Sequence, residues 1–267
     1  MTTVERIQRL EDLRPGDLMF GPIGGLVGAG VRLGELLVDG GFRVGPLNVC
    51  HVAVVVEASR KHGPGAQNKA TGEYRELNAD TVRTTNFLDQ EWTAYPSGLI
   101  TAPRLVQAMP HGAEEIEMCY SCHWTPKHAY ARLVEDYPGQ ALDAAAIARL
   151  MVEHKVAYSF GSYPALAAWH WGIATPRLEK WIGRRQSEAV LYPSHSPWDG
   201  GAKKGVILPI EAICSVLADQ SWSLTGKKIM TNVPHQCVTP STLATRLLFG
   251  SPDLVSAWGF AAEHPYP

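Results

Sequence analysis

The run Val49-Cys50-His51-Val52-Ala53-Val54-Val55-Val56-Glu57 constrains the fold of this chain more than any other segment. It is rich in β-branched residues, which favour extended backbone and pack well on a pleated surface. Its apolar character is nearly continuous instead of alternating, so the strand is expected to be buried on both faces. A chain of 267 residues can bury a core of that kind. Its 45% hydrophobic and 19% charged residues are those of an ordinary soluble globular protein. No internal repeat or linker divides it, and a single domain over 1–267 is expected.

Shorter signals set the other elements. Arg14-Pro15-Gly16-Asp17 is a turn, and Leu18-Met19-Phe20 a short buried strand. The glycines from Gly24 to Gly34 lack the dinucleotide spacing, because Leu33 follows Gly28 and Gly30 where a third glycine is needed. Val27 to Val38 reads as a short helix instead. Lys61 to Gly72 reads as a loop, and Tyr74 to Ala79 as a strand with Tyr74, Glu76 and Asn78 on one face. Pro103 demotes Leu99 to Leu105 to an edge strand. Asp143 is expected to cap a helix through His154, with Ile147, Leu150 and Met151 as its apolar stripe. Tyr158 to Ile173 reads as a second helix, with Trp169, Trp171 and Trp181 as core or groove wall. Ser187 to Lys204, with two prolines and two consecutive glycines, reads as a loop, and Thr239-Pro240 as a helix start.

Charge and targeting signals exclude several partner classes. The formal net charge of -2 gives no electrostatic case for nucleic acid or an anionic membrane surface. No segment has the length of an uncharged membrane span, and Met1-Thr2-Thr3-Val4-Glu5-Arg6 has no apolar signal core. The expected location is the cytoplasm as synthesised, with virion association or lysis as routes outward. Five cysteines lack the density of a disulfide scaffold and read as mostly reduced thiols. Cys119-Tyr120-Ser121-Cys122-His123 has the haem-attachment spacing, but covalent haem needs an exported chain. As a zinc site it offers two thiols, with His123 and His128 nearby, but no second cysteine pair. Neither a cofactor nor a metal is expected.

Cys214 and His51 carry the candidate chemistry. A cysteine opening a helix and a histidine opening a strand are the two halves of a thiol hydrolase site. The helix end can lower the thiol pKa, and the imidazole can take its proton and return it. Two positions for Cys214 stay open. If Pro209 starts the helix, Cys214 lies past the first turn, where the dipole has faded. If Val206 to Ile213 is extended, Cys214 opens the helix with its N–H free for an oxyanion hole. The bland alternatives are a cysteine packed as a small hydrophobe and a strand histidine satisfied by neighbouring backbone. A third polar group should orient the imidazole, and Asn78 and Glu76 both qualify. Cys237, close to His235, is a rival nucleophile, but Thr239-Pro240 starts its own helix and leaves Cys237 in the entering loop.

Six short runs occur in a telling order: Pro15-Gly16-Asp17-Leu18-Met19-Phe20, His51-Val52-Ala53-Val54-Val55, Leu77-Asn78-Ala79-Asp80, Ala157-Tyr158-Ser159-Phe160, Ile213-Cys214-Ser215 and Val238-Thr239-Pro240-Ser241-Thr242-Leu243. Together they resemble the circularly permuted branch of the NlpC-type papain-like hydrolases, which includes lecithin–retinol acyltransferase relatives and bacterial YiiX-like proteins. In turn they resemble its opening Gly-Asp strand, histidine strand, strand ending in Glu-Ala, Tyr-Asp segment, Cys-Ser-Glu motif and C-terminal Thr-Pro run. The histidine precedes the cysteine, as permutation of the papain order requires.

The resemblance implies a papain-like α+β fold, with a small antiparallel sheet packed against the nucleophile helix and extra helices. It implies acyl transfer by a cysteine peptidase or amidase, with Cys214 as nucleophile, His51 as base and Asn78, or alternatively Glu76, as orienter. Tyr158 and Asp17 are the implied substrate-binding positions. The implied substrate contains an amide, such as a cell-wall peptide, with a lipid acyl chain as a second class. Val216 stands where an acid is usual after Cys-Ser, Asn78 for a carboxylate and Ser159 for an aspartate. His111 to Gln140 is extra material relative to smaller members. The alternative function is a catalytically silent papain-like module with assembly partners, for instance in a phage tail. The acid missing after Ser215 favours it, and the retained cysteine and histidine oppose it.

Overall fold

The computed structural model describes residues 7–24, 47–71, 73–78, 91–95, 97–159, 186–198, 200–231, 238–249 and 255–260, with isolated positions between them. An antiparallel sheet of six strands lies at its centre: β1 (Leu18–Gly21), β2 (His51–Glu57), β3 (Arg104–Met109), β4 (Gly112–Glu117), β5 (Ala129–Leu133) and β6 (Val255–Phe260). Their order is β4-β3-β2-β1-β5-β6, so the valine-rich β2 is interior. Val52 to Val55 are wholly buried. Each such valine contributes about 1.5–3 kcal/mol by burial, against about 1–2 kcal/mol for fixing one residue's backbone. Burial therefore outweighs ordering along this strand.

Two apolar layers cover the sheet. One face carries Phe20, Val52, Val54, Val56, Val106 and Ala108, and packs on the helices α1 (Gln140–Glu153) and α2 (Cys214–Ser223). The opposite face carries Met19, Ala53, Val55, Leu105 and Tyr130, covered by Ile7, Leu10, Leu13, Met118 and Trp124. The register keeps these sets apart. Leu18, Met19, Phe20 and Gly21 pair with Val54, Ala53, Val52 and His51, and Leu105 and Val106 pair with Val55 and Val54.

Several elements differ from the sequence expectation. Leu99 to Leu105 is broken at Pro103: Leu99–Thr101 pairs with Arg60–His62, and the interior strand β3 starts only at Arg104. Pro103 donates nothing, but its carbonyl accepts from the Met118 N–H at 2.8 Å. Lys61 to Gly72 contains part of the Arg60–His62 strand and the whole of a second, Gly65–Asn68. Ser187 to Lys204 includes most of one arm of a hairpin, Gln186–Pro193 against Lys203–Pro209, and the connection between its arms. The stretch from His111 to Gln140 contains β4 and β5, which is compatible with its reading as extra material. Helix α1 starts at Gln140 behind Gly139, so Asp143 sits inside its first turns. There its buried carboxylate accepts from Tyr137 Oη–H and Ser194 Oγ–H, and from the His195 backbone N–H. Tyr158 belongs to a short strand, and Trp171 is exposed. Trp169, Trp181, His235, Cys237 and most of the helices expected over Val27–Val38 and Tyr158–Ile173 lie outside the described residues. Among the described residues no helix is long and apolar enough to cross a membrane.

Candidate functional site

Cys214 is the first residue of α2, preceded by an extended Ile213 with φ -89° and ψ 168°. The backbone stays extended that far because Glu211–Ala212 pairs in parallel with Ala157–Tyr158. The Ser159 N–H donates to the Ala212 carbonyl at 3.3 Å, and its hydroxyl donates to Glu211 at 3.0 Å. Of the two positions left open by Pro209, Cys214 takes the one at the helix start, where the backbone N–H groups have no partner in the helix ladder. Tyr158 runs beside the segment that delivers it. The side chain of Cys214 is buried within the α1–α2 layer.

His51 opens β2. Helix α2 is fastened to the sheet at Trp222, whose Nε1–H donates to the Gly16 carbonyl at 3.0 Å, and the Gly16 N–H donates to the Val55 carbonyl at 2.8 Å. The layers of the two candidate residues differ. His51 shares the parity of Ala53 and Val55, whose face is turned away from α2. Its cross-strand partner Gly21 makes the same point, because a Cβ on Gly21 would run into the His128 ring. Only glycine admits that imidazole beside His51.

The His51 ring is held by Gln107 on β3. Gln107 Nε2–H donates to Glu114 Oε1 at 2.8 Å, and a carboxylate can only accept, so the Gln107 carbonyl must face the other way. It then accepts from His51 Nε2–H at 2.7 Å. The tautomer follows: the proton sits on Nε2 and the Nδ1 lone pair is the basic one. Burial lowers the His51 pKa to about 4; Gln107 and Glu114 oppose that shift and His123 adds to it. His128 is lowered to about 4 by burial, then by the neighbouring His123 and His51. The rings of His123 and His128 stand 6.4 Å apart, edge to face. Three imidazoles thus share the sheet face opposite Cys214.

The expected orienters lie elsewhere. Glu76 ends a strand of a separate three-stranded sheet, where Oε1 accepts from the Gly63 N–H at 3.1 Å and stands 4.0 Å from His62. Asn78 follows it, exposed, with its carbonyl accepting from the Val82 N–H. Neither is brought to His51. Asp17, implied as a substrate contact, is buried in an ion pair. Arg132 donates to both its oxygens at 2.9 and 2.8 Å, and the Arg14 N–H adds a third bond. Burial raises the Asp17 pKa, and Arg132 works against that rise. Gln107 and Glu114 went unread in the sequence. Their signal was the turn Pro110-His111-Gly112 between two alternating runs, which pairs Gln107 with Glu114 across the β3–β4 hairpin.

Among the described residues no three His, Cys, Asp or Glu side chains are grouped to hold a metal ion. No family model matches this chain. Neither the curated proteins nor the solved structures contain a match to it.

Proposed function

We propose that this chain is a papain-like module of the permuted NlpC kind that keeps the residues of a thiol hydrolase outside their working arrangement, and that it serves as a structural or binding component. One observation carries this reading: the imidazole of His51 and the thiol of Cys214 belong to opposite faces of the same sheet. A thiol hydrolase needs the two within hydrogen-bond reach. The chemistry points the same way. Moving a proton from a thiol of pKa about 8.5 to an imidazole of pKa about 4 costs about 6 kcal/mol before any attraction between the ions.

A second reading, a cysteine hydrolase of amides such as cell-wall peptides, is favoured by Cys214 at the first position of α2 and by the Nε2–H tautomer of His51. In it the Cys214 thiolate attacks the carbonyl, His51 protonates the departing amine, and water releases the acyl group. His51 would first have to leave Gln107 and pass the sheet end.

Alkylation of Cys214 by iodoacetamide, followed across pH by peptide mapping, separates the two. The module reading expects a rate that rises only near or above the roughly 8.5 of an ordinary thiol, equally in His51→Ala. A rate already at its plateau well below that pH, and lost in His51→Ala, establishes the hydrolase reading instead.

A further inference from the structure

Cys119 and Cys122 lie apart from the Cys214 layer, in the segment between β4 and β5. Their sulfurs are 2.7 Å apart, across a turn closed by the Cys122 N–H donating to the Cys119 carbonyl at 3.2 Å. A disulfide needs its two sulfurs brought together without backbone movement, and this turn provides that. The two cysteines differ in setting. Cys122 is exposed, whereas Cys119 is half-buried on anchored backbone. The preceding Met118 is buried with its N–H on Pro103, and the Cys119 N–H donates to His123 Nδ1 at 3.0 Å. An exposed cysteine beside a less exposed one on anchored backbone is an arrangement that thiol–disulfide exchange can use.

We propose that Cys119 and Cys122 form a dithiol that exchanges with disulfides, Cys122 attacking and Cys119 resolving. The Cys122 thiolate attacks one sulfur of a disulfide R–S–S–R, forming a mixed disulfide and expelling one RS⁻. The Cys119 thiolate then attacks the Cys122 sulfur, expelling the second RS⁻ and closing the Cys119–Cys122 bond. One disulfide is reduced to two thiols while the protein dithiol is oxidised, so electrons balance, and the two protons lost by the cysteines go to the two expelled thiolates. The oxidant is the disulfide substrate itself.

The test treats the full chain with oxidised glutathione and maps its cysteine peptides by mass spectrometry, with circular dichroism confirming that each variant is folded. The wild type should yield a Cys119–Cys122 peptide lighter by two hydrogens and release two equivalents of reduced glutathione. Cys119→Ser should trap glutathione on Cys122, and Cys122→Ser should react at least about tenfold more slowly, because its remaining cysteine is the less exposed of the two. A parallel arm with insulin as a protein disulfide distinguishes the source, the faster arm naming it. The proposal fails if both wild-type thiols survive in both arms, if the wild type stops at a glutathione adduct, or if the pair is found occupied by stoichiometric zinc that blocks exchange.

Discussion

The Nε2–H of His51 donates to Oε1 of Gln107 across 2.7 Å, from one interior strand to the next, on the sheet face that α2 does not touch. Gln107 is itself fixed by Glu114, so the imidazole is held by a two-step relay that ends in a carboxylate. Removing the middle member is expected to be costly. Gln107→Ala leaves a buried imidazole N–H without its acceptor and should lower stability by about 1–3 kcal/mol in urea unfolding. Asn78→Ala, at an exposed position away from the relay, should change it by less than about 0.5 kcal/mol.

Gly21 and His128 make a second pair. Because a Cβ at position 21 would run into the His128 ring, Gly21→Ala should destabilise the fold by about 1–3 kcal/mol. Adding His128→Ala should recover part of that loss. A double-mutant cycle measures the coupling, and simple additivity of the two changes would count against this contact.

The buried rings also set a pH dependence. His51 and His128 have folded pKa values of about 4, below the ordinary 6.5, because burial disfavours the imidazolium. The unfolded chain therefore takes up protons first as pH falls. Stability from these groups is whole above about pH 6.5 and is lost as pH drops toward 4. Each ring should account for about 2 kcal/mol of loss between pH 7 and pH 5. Urea midpoints at the two pH values check this, and His128→Asn should shrink the difference.

Asp17 and Arg132 form a buried pair, and breaking one side should be worse than losing a surface pair. Arg132→Met leaves the Asp17 carboxylate uncompensated and should cost about 3–5 kcal/mol. Arg104→Met removes the more exposed pair with Glu115 and should cost less than about 1 kcal/mol. Equal losses would mean that Asp17 is better solvated than its burial indicates.

The strand containing His51 was legible in the sequence because a run of valines has few other places to go. The face of His51 was not, and the reason is physical. A strand buried on both faces carries no period-two contrast, so nothing local says which layer receives the odd positions. The helix start at Cys214 was undecidable for a related reason. Pro209 suits both a helix start and a strand end, and what holds Glu211–Ala212 extended is a distant partner, Ala157–Tyr158. The clear alternation of the Tyr74–Ala79 run points to an orienter there, yet its strand, Tyr74–Glu76, belongs to a different sheet. Gln107 lay in a segment made to look like an edge by Pro103, although the proline ends just before the interior strand begins.

The claim that His51 and Cys214 do not form a working pair is tested most directly by ¹⁵N NMR of the His51 ring, in the wild type and in Cys214→Ser. The structure predicts a neutral ring at pH 7, protonated on Nε2, titrating near pH 4 and unchanged when the thiol is removed. A His51 imidazolium at pH 7 in the wild type that becomes neutral in Cys214→Ser would show a thiolate–imidazolium pair and contradict the account.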